Sequence, residues 1–169
     1  MPHLDAAHRF ARWLSRSPGE ADDIVQEAFL RAFRGFDALR GGDVKAWLLT
    51  IVRNCHATAC RQQQRRAAVP LPEADEAQFD CAAITSVPDP ESASIGHEQE
   101  RTLERLITAL SQEHREVLLL REMEEMSYRE IAAVTQLPIG TVMSRLARAR
   151  AALKSQYLQQ HPGAPHAMR

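Results

Sequence analysis

Between Leu137 and Arg150 the chain reads "LPIGTVMSRLARAR", setting Gly140, Thr141 and Ser144 ahead of Arg145, Arg148 and Arg150. From Ile131 onward the sequence contains no Asp or Glu. Arginine can donate two parallel hydrogen bonds to a guanine edge in a DNA major groove. Hydroxyls and the amides at a helix N-terminus bond phosphate oxygens, and Gly140 leaves room for a close backbone approach. On a helical wheel Val142, Leu146, Ala149 and Leu153 share one face, with Thr141, Ser144 and Arg148 away from it. Arg145 falls nearer the edge, and Arg150 and Lys154 sit on the other flank. A helix that is merely solvated mixes both charge signs; this one carries only cations and short hydroxyls. The chemistry is that of reading a duplex: Thr141, Ser144, Arg145 and Arg148 at the groove, Arg150 and Lys154 at phosphates.

The other reactive side chains point to less. His56 and Cys60 are four residues apart and can share a helix face. A metal site needs further ligands at compatible spacing, and the sequence shows none, so these read as small residues on a helix and no metal or cofactor is expected. Cys55, Cys60 and Cys81 fit reduced thiols better than a disulfide framework. No catalytic constellation stands out.

Elements must hold the arginine helix in place. Ser127 and Glu130 have capping-box spacing, so a short helix should run from there through Val134. "QLP" then makes a turn before the arginine helix, which completes a helix-turn-helix. Upstream, Leu103, Leu106, Ile107 and Leu110 mark one helix, and Ser111 can cap the next, "QEHREVLLLREME".

The first part of the chain reads as three more helices: about His3 to Arg16, about Glu20 to Phe36, and Val44 to about Arg66. "SPGE" and "RGGD" separate them, and Asp43 can cap the third. In the second, Val25, Phe29, Ala32, Phe33 and Phe36 gather as the expected core stripe. Asp23, Glu27, Leu30, Arg31 and Arg34 face the other way with Ile24 at their edge, a row that suits a partner but equally fits single exposed apolar residues on a solvated face. In the third, Val44, Leu48, Ile51, Val52, Cys55 and Ala59 are the expected core, opposite Thr50, Arg53, Asn54, Ala57 and Arg61.

Charge is partitioned along these parts, although the net charge is only −1. Residues 1–66 carry 11 Lys/Arg against 7 Asp/Glu, residues 67–96 carry 6 Asp/Glu and no Lys/Arg, and residues 97–169 carry 10 against 9. The acidic stretch holds Pro70, Pro72, Pro88 and Pro90 and no helical period, so it reads as a flexible linker. Scarce aromatics and abundant Ala, Leu, Arg, Glu and Gln favour helix. The fold class expected is all-α: two small helical domains, 1–66 and 97–158, joined by the 67–96 linker, with a disordered tail at 159–169. No apolar run approaches the length of a membrane span. "MPHLDAAHRF" has no basic-then-apolar signal layout, so the cytoplasm is the expected location.

Three motifs, "DDIVQEAFLRAF" at 22–33, "FDALRGGDVKAWLLTIVRN" at 36–54 and "LSQEHREVLLLREMEEMSYREIAAVTQLPIGTVMSRLARARAAL" at 110–153, occur in order around a variable linker. Together they make the chain resemble the extracytoplasmic-function (ECF) sigma factors, the two-domain group of the sigma-70 family. The resemblance implies sigma region 2 in residues 1–66 and region 4 in 97–158. It implies no enzyme activity, but a subunit that binds core RNA polymerase and directs transcription initiation at promoters. By the same resemblance Asp23, Gln26, Glu27 and Leu30 dock on the clamp helices of the largest polymerase subunit. The 39–43 loop with Trp47, Arg53, Asn54 and Arg61 binds and opens the −10 element, although Trp47, at the edge of its stripe, is as well suited to packing. The arginine helix reads the −35 element, region 4 touches the flap of the second-largest subunit, and an anti-sigma factor is an expected partner. Met143 and Ala147 stand where relatives often have lysine and histidine, so −35 affinity or sequence should differ. Glu125 replaces a frequent glycine, at a cost of ~1 kcal/mol if the backbone there is left-handed. His8 stands where many relatives have an aromatic.

Two main rival readings stand beside this one, with a hydrolytic enzyme built on His56 and Cys60, which would require a bound metal, as a remote third. A regulator of the quorum-sensing type shares the helix-turn-helix but leaves "DDIVQEAFLRAF" and "AWLLTIVRN" unexplained, and it would bind DNA without polymerase. A sigma mimic that sequesters an anti-sigma protein would have no use for the arginine face.

Overall fold

The structure, a computed structural model, describes residues 3–15, 17–39, 41–67 and 95–160. The acidic segment between Ala67 and Ile95, with Cys81, lies outside the described residues, as do Arg16, Arg40 and the tail beyond Gln160. Every regular element described is helical: α1 Leu4–Leu14, α2 Pro18–Gly35, α3 Val44–Ala67, α4 Ile95–Thr108, α5 Gln112–Glu122, α6 Tyr128–Thr135 and α7 Ile139–Gln160, with a 3₁₀ turn at Phe36–Ala38. They form two compact units, one built on α1–α3 and one built on α4, α5 and α7 with the start of α6.

In the first unit all three helices pack on one another. α1 ends at Leu14, earlier than the expected Arg16, because Ser15 turns extended. α2 begins at Pro18 and not near Glu20. Proline at the first helical position already has the helical φ and loses only an N–H that would be unpaired there. It also holds Ser17 extended, and the Ser17 hydroxyl accepts from the Glu20 N–H at 3.3 Å.

The buried side of α2 differs from the expected stripe. Ala21, Ile24, Val25, Ala28 and Ala32 are buried, while Phe29 is half-buried and Phe36 exposed. Phe33 is 83% exposed. The core face is rotated by about 70° from the expected stripe. α2 has neighbours in both α1 and α3, and the row of alanines lets both come close; the bulky phenylalanines sit outside that contact. Ile24, expected among the charges, therefore lies in the core. α3 shows a smaller shift: Leu48, Leu49, Val52, Cys55 and His56 are buried, Ile51 and Ala59 are half-buried, and Val44 is exposed. Burial pushes the Cys55 thiol up, away from its reactive thiolate form.

The "RGGD" turn is as expected. Gly41 and Gly42 have φ of 73° and 109°, which side chains resist. Asp43 then caps α3, its carboxylate accepting from the Lys45 N–H at 2.8 Å.

In the second unit α7 packs on α5 and α4. Leu106, Ile107 and Leu110 are buried, as are Val117 to Leu120 of α5. Leu103 is on α4 but faces solvent. Ser111 precedes α5, yet its side chain makes no cap bond; its carbonyl accepts from the His114 and Arg115 N–H groups. Arg115 spans this junction from the other side, donating to the carbonyls of Thr108 and Leu110 and closing the end of α4.

Between α5 and α6, Glu125 has φ 56°, the left-handed conformation expected if glycine is the natural fit. The Met126 N–H closes back on the Leu120 carbonyl at 3.0 Å across it. The Glu125 side chain is exposed. Relief of left-handed strain outweighs the extra freedom of an unfolded glycine, so Glu125→Gly should stabilise the second unit by about 0.5–1 kcal/mol. Denaturant unfolding checks it; a destabilised variant would show that the side chain itself contributes.

Candidate functional site

The helix-turn-helix is assembled from local signals. The Ser127 hydroxyl accepts from the Glu130 N–H at 3.3 Å, and the Glu130 carboxylate accepts from the Ser127 N–H at 2.6 Å, a complete capping box. α6 stops where Gln136 adopts φ 57° and the Leu137 N–H returns to the Ala132 carbonyl at 3.1 Å. Pro138 then opens α7, its carbonyl accepting from the Thr141 and Val142 N–H groups.

On α7, Val142, Leu146 and Ala149 are buried and Leu153 is half-buried, the face expected. Ser144, Arg148, Arg150 and Lys154 are exposed, and Thr141 is half-buried. Ser144 donates its hydroxyl to the Thr141 carbonyl at 3.0 Å, which leaves its oxygen to accept. A Cβ added to Gly140 would meet nothing within 4 Å, so the protein's own packing does not demand glycine there.

The arginines divide in a way the sequence did not show. Arg145 meets Glu113, in the first turn of α5, at 2.8 Å, and its side chain is only 19% exposed. Arg150 meets Glu122 at the end of α5 at 2.6 Å, and that carboxylate holds the guanidinium's pKa up. Both therefore pin α7 to α5. Arg148 makes no ion pair among the described residues. The α7 surface that faces outward with uncommitted charge is thus Thr141, Ser144 and Arg148, with Lys154 beyond.

In the first unit Asp23, Gln26, Glu27 and Leu30 are all exposed on one side of α2. Their spacing places them along one stripe. Glu27 accepts from Arg31 at 2.7 Å, an exposed i,i+4 pair that raises the Arg31 pKa. Phe33 continues the stripe one turn beyond Leu30. Sequence reading put it in the core; its three-residue offset from Leu30 was the available signal. Asp22, next to the stripe, bonds His8 of α1 at 2.8 Å.

On α3, Asn54 and Arg61 are exposed and Arg53 is half-buried. Arg61 lies back along the helix, donating to the Ala57 carbonyl and the Thr58 hydroxyl. Trp47 is half-buried, with its ring 6.5 Å from that of Phe36 in an edge-on arrangement and its Cζ2 3.5 Å from where a Gly35 Cβ would stand. Packing therefore engages much of this indole.

A three-helix body with an exposed acidic-apolar stripe, and a second body that carries a cationic helix-turn-helix, define a two-part helical protein of the DNA-binding class. The sigma-70 region 2 family matches residues 1–66, and the sigma-70 region 4 family matches residues 100–153. The ECF RNA polymerase sigma-E factor of Escherichia coli strain K12 is 36% identical over 151 residues, covering 86% of this chain and 79% of that protein. The RNA polymerase sigma-H factor of Pseudomonas aeruginosa is 37% identical over 137 residues, covering 79% and 71%. The solved sigma factor RpoE from Bartonella quintana, in complex with the anti-sigma factor NepR, superposes with a TM-score of 0.71 at 28% identity, covering 95% of this chain and 93% of that one. The chain belongs to the ECF group of the sigma-70 family of RNA polymerase sigma factors.

Proposed function

We propose that the two bodies divide promoter recognition between them, residues 1–66 serving core polymerase and the −10 element and residues 97–158 the −35 element. The observation that carries this reading is the outward face of α7, which presents hydroxyls and the unpaired Arg148 guanidinium with no carboxylate. Thr141, Ser144 and Arg148 read base edges and nearby phosphates there, and Lys154 grips the backbone. Arg145 and Arg150, paired with Glu113 and Glu122, position the helix and contact DNA from its flanks with the donors those pairs leave over.

Asp23, Gln26, Glu27 and Leu30, extended by Phe33, dock on the clamp helices of the largest subunit, and region 4 meets the flap of the second-largest. Arg53, Asn54 and Arg61, with the 39–43 loop, hold the opened −10 strand. A melted strand needs cations along its backbone and surfaces for extruded bases, and pocket hydrogen bonding outweighs serial stacking because Trp47 is engaged by Phe36. The protein catalyses nothing itself in this reading. The structural relative was solved with an anti-sigma factor, and the exposed α2 stripe and α7 face are surfaces such a partner would cover. Among the described residues no helix is long and apolar enough to cross a membrane; the place of action in this reading is the cytoplasm, where polymerase and promoter are.

The test is in vitro transcription with purified core enzyme on genomic fragments, followed by start-site mapping. Selective starts preceded by shared −35 and −10 sequences support the reading; promoter binding by the isolated chain with no effect on polymerase would replace it with a polymerase-independent regulator. A sharper test uses Gly140→Ala. Within the free protein the methyl has room, and alanine should stabilise the helix by about 0.5–1 kcal/mol. If DNA approaches the backbone there, the more stable variant transcribes less from a −35-dependent promoter. Equal transcription would show that DNA does not crowd that position.

A further inference from the structure

Glu20 in the first turn of α2 and His56 and Cys60 on α3 converge inside the first unit. Their ligand-type atoms all lie within 4.8 Å of one another. His56 is 97% buried, being only 3% exposed, and Glu20 and Cys60 are half-buried. The Cys60 Sγ to His56 Nε2 distance is 3.4 Å. A tetrahedral zinc, with metal–sulfur and metal–nitrogen bonds of about 2.3 and 2.05 Å, holds those two atoms roughly 3.5 Å apart. The i,i+4 spacing on α3 therefore already has the bite of a chelate, and α2 brings the third donor from across the helix interface.

We propose that Glu20, His56 and Cys60 form a binding site for a single zinc ion, with water as the fourth ligand. A thiolate, an imidazole and a carboxylate suit zinc, whereas magnesium and calcium require oxygen donors throughout. The thiol gives its proton to solvent as the sulfur binds the metal, so affinity rises with pH. With all three donors already within 4.8 Å of one another, closing on the ion takes shifts of about an ångström at the carboxylate. The ion ties the start of α2 to the middle of α3. It thereby stabilises the packing between the helix that carries Asp23, Gln26, Glu27 and Leu30 and the helix that carries Arg53, Asn54 and Arg61. Because a ligand that binds only the folded state shifts unfolding by mass action, the first unit becomes more stable as zinc rises.

The full chain, reduced and stripped of metal, is titrated with Co2+ and then with Zn2+. The expected result is one equivalent of cobalt with a thiolate-to-cobalt charge-transfer band and the visible absorption of a tetrahedral site, both bleached by Zn2+. Cys81→Ser keeps the signal, which excludes the cysteine outside the described residues. Cys60→Ser abolishes the charge-transfer band, and Glu20→Gln weakens binding while the metal-free fold, followed by circular dichroism, is unchanged. Zn2+ raises the unfolding midpoint of the wild-type chain and not that of Cys60→Ser. Absence of a thiolate–cobalt band in the wild-type chain, or its survival in Cys60→Ser, overturns the site and leaves a Cys60–His56 hydrogen bond of purely structural use. None of these readouts involves polymerase or promoter, so the outcome is separate from that of the promoter-recognition reading.

Discussion

With alanine in place of Arg148, transcription from a promoter that depends on its −35 element falls by roughly 5- to 150-fold, the equivalent of about 1–3 kcal/mol for one bidentate base contact. Two observations concentrate the effect at this residue. Arg148 is exposed on the side of α7 opposite Val142, Leu146 and Ala149, and no carboxylate among the described residues neutralises it. Its removal also leaves the core untouched, so the unfolding midpoint should not move. Arg145→Ala is the informative comparison. That guanidinium is 19% exposed and bonded to a Glu113 carboxylate that is itself 67% exposed. Losing an ion pair of that exposure destabilises by no more than about 1 kcal/mol, and the effect on promoter choice should be smaller than for Arg148. The measurement is in vitro transcription with core enzyme on a cognate template and on one with a scrambled −35 element. Arg148→Ala should narrow the difference between templates. If the two templates stay as distinct as with the wild-type chain, Arg148 contacts no base, and the reading of α7 fails at its main residue.

Reversing charge at Glu27 should weaken assembly with core polymerase by about 30-fold or more, corresponding to about 2 kcal/mol at a contact where opposite charges are replaced by like ones. Glu27 lies at the middle of the α2 stripe, between Asp23 and Leu30, and its side chain is 48% exposed. Among the described residues it pairs with Arg31, at 2.7 Å. Glu27→Arg replaces that pair with two cations on adjacent turns, which destabilises the helix by only about 0.5 kcal/mol. The two effects are thus separable: circular dichroism and melting stay close to wild type while co-migration with core enzyme is lost. Normal holoenzyme formation would reject α2 as the docking helix. Phe33→Ala offers an independent check on the same stripe, since a residue that is 83% exposed adds little to folding but adds apolar area to an interface.

Much of the architecture could be read from short-range pattern. The Ser127–Glu130 box, the Asp43 cap and the glycine turn at Gly41 and Gly42 all appear where residue types alone pointed, whereas the left-handed backbone at Glu125 was signalled only by the glycine that relatives have there. Each depends on atoms within a few residues of one another, so the local sequence contains the whole interaction. The outward face of α7 was legible for a related reason: one strong apolar row, Val142, Leu146 and Ala149, left its burial little choice. α2 offered two plausible apolar rows, one of alanines and one of phenylalanines. Hydrophobicity favoured the larger side chains, whereas close approach by α1 and α3 favoured the smaller.

What the sequence by itself determined here is the set of helices, their caps and turns, and the family pattern they carry. Tertiary structure alone decided which side of α2 is buried, that Arg145 and Arg150 are held by α5, and that Glu20 joins His56 and Cys60. Arg150 and its carboxylate are 28 residues apart in sequence, and no periodicity reaches across such a distance. Which groups meet there depends on how helices pack, and packing is settled by the shapes of surfaces brought together only when the chain folds.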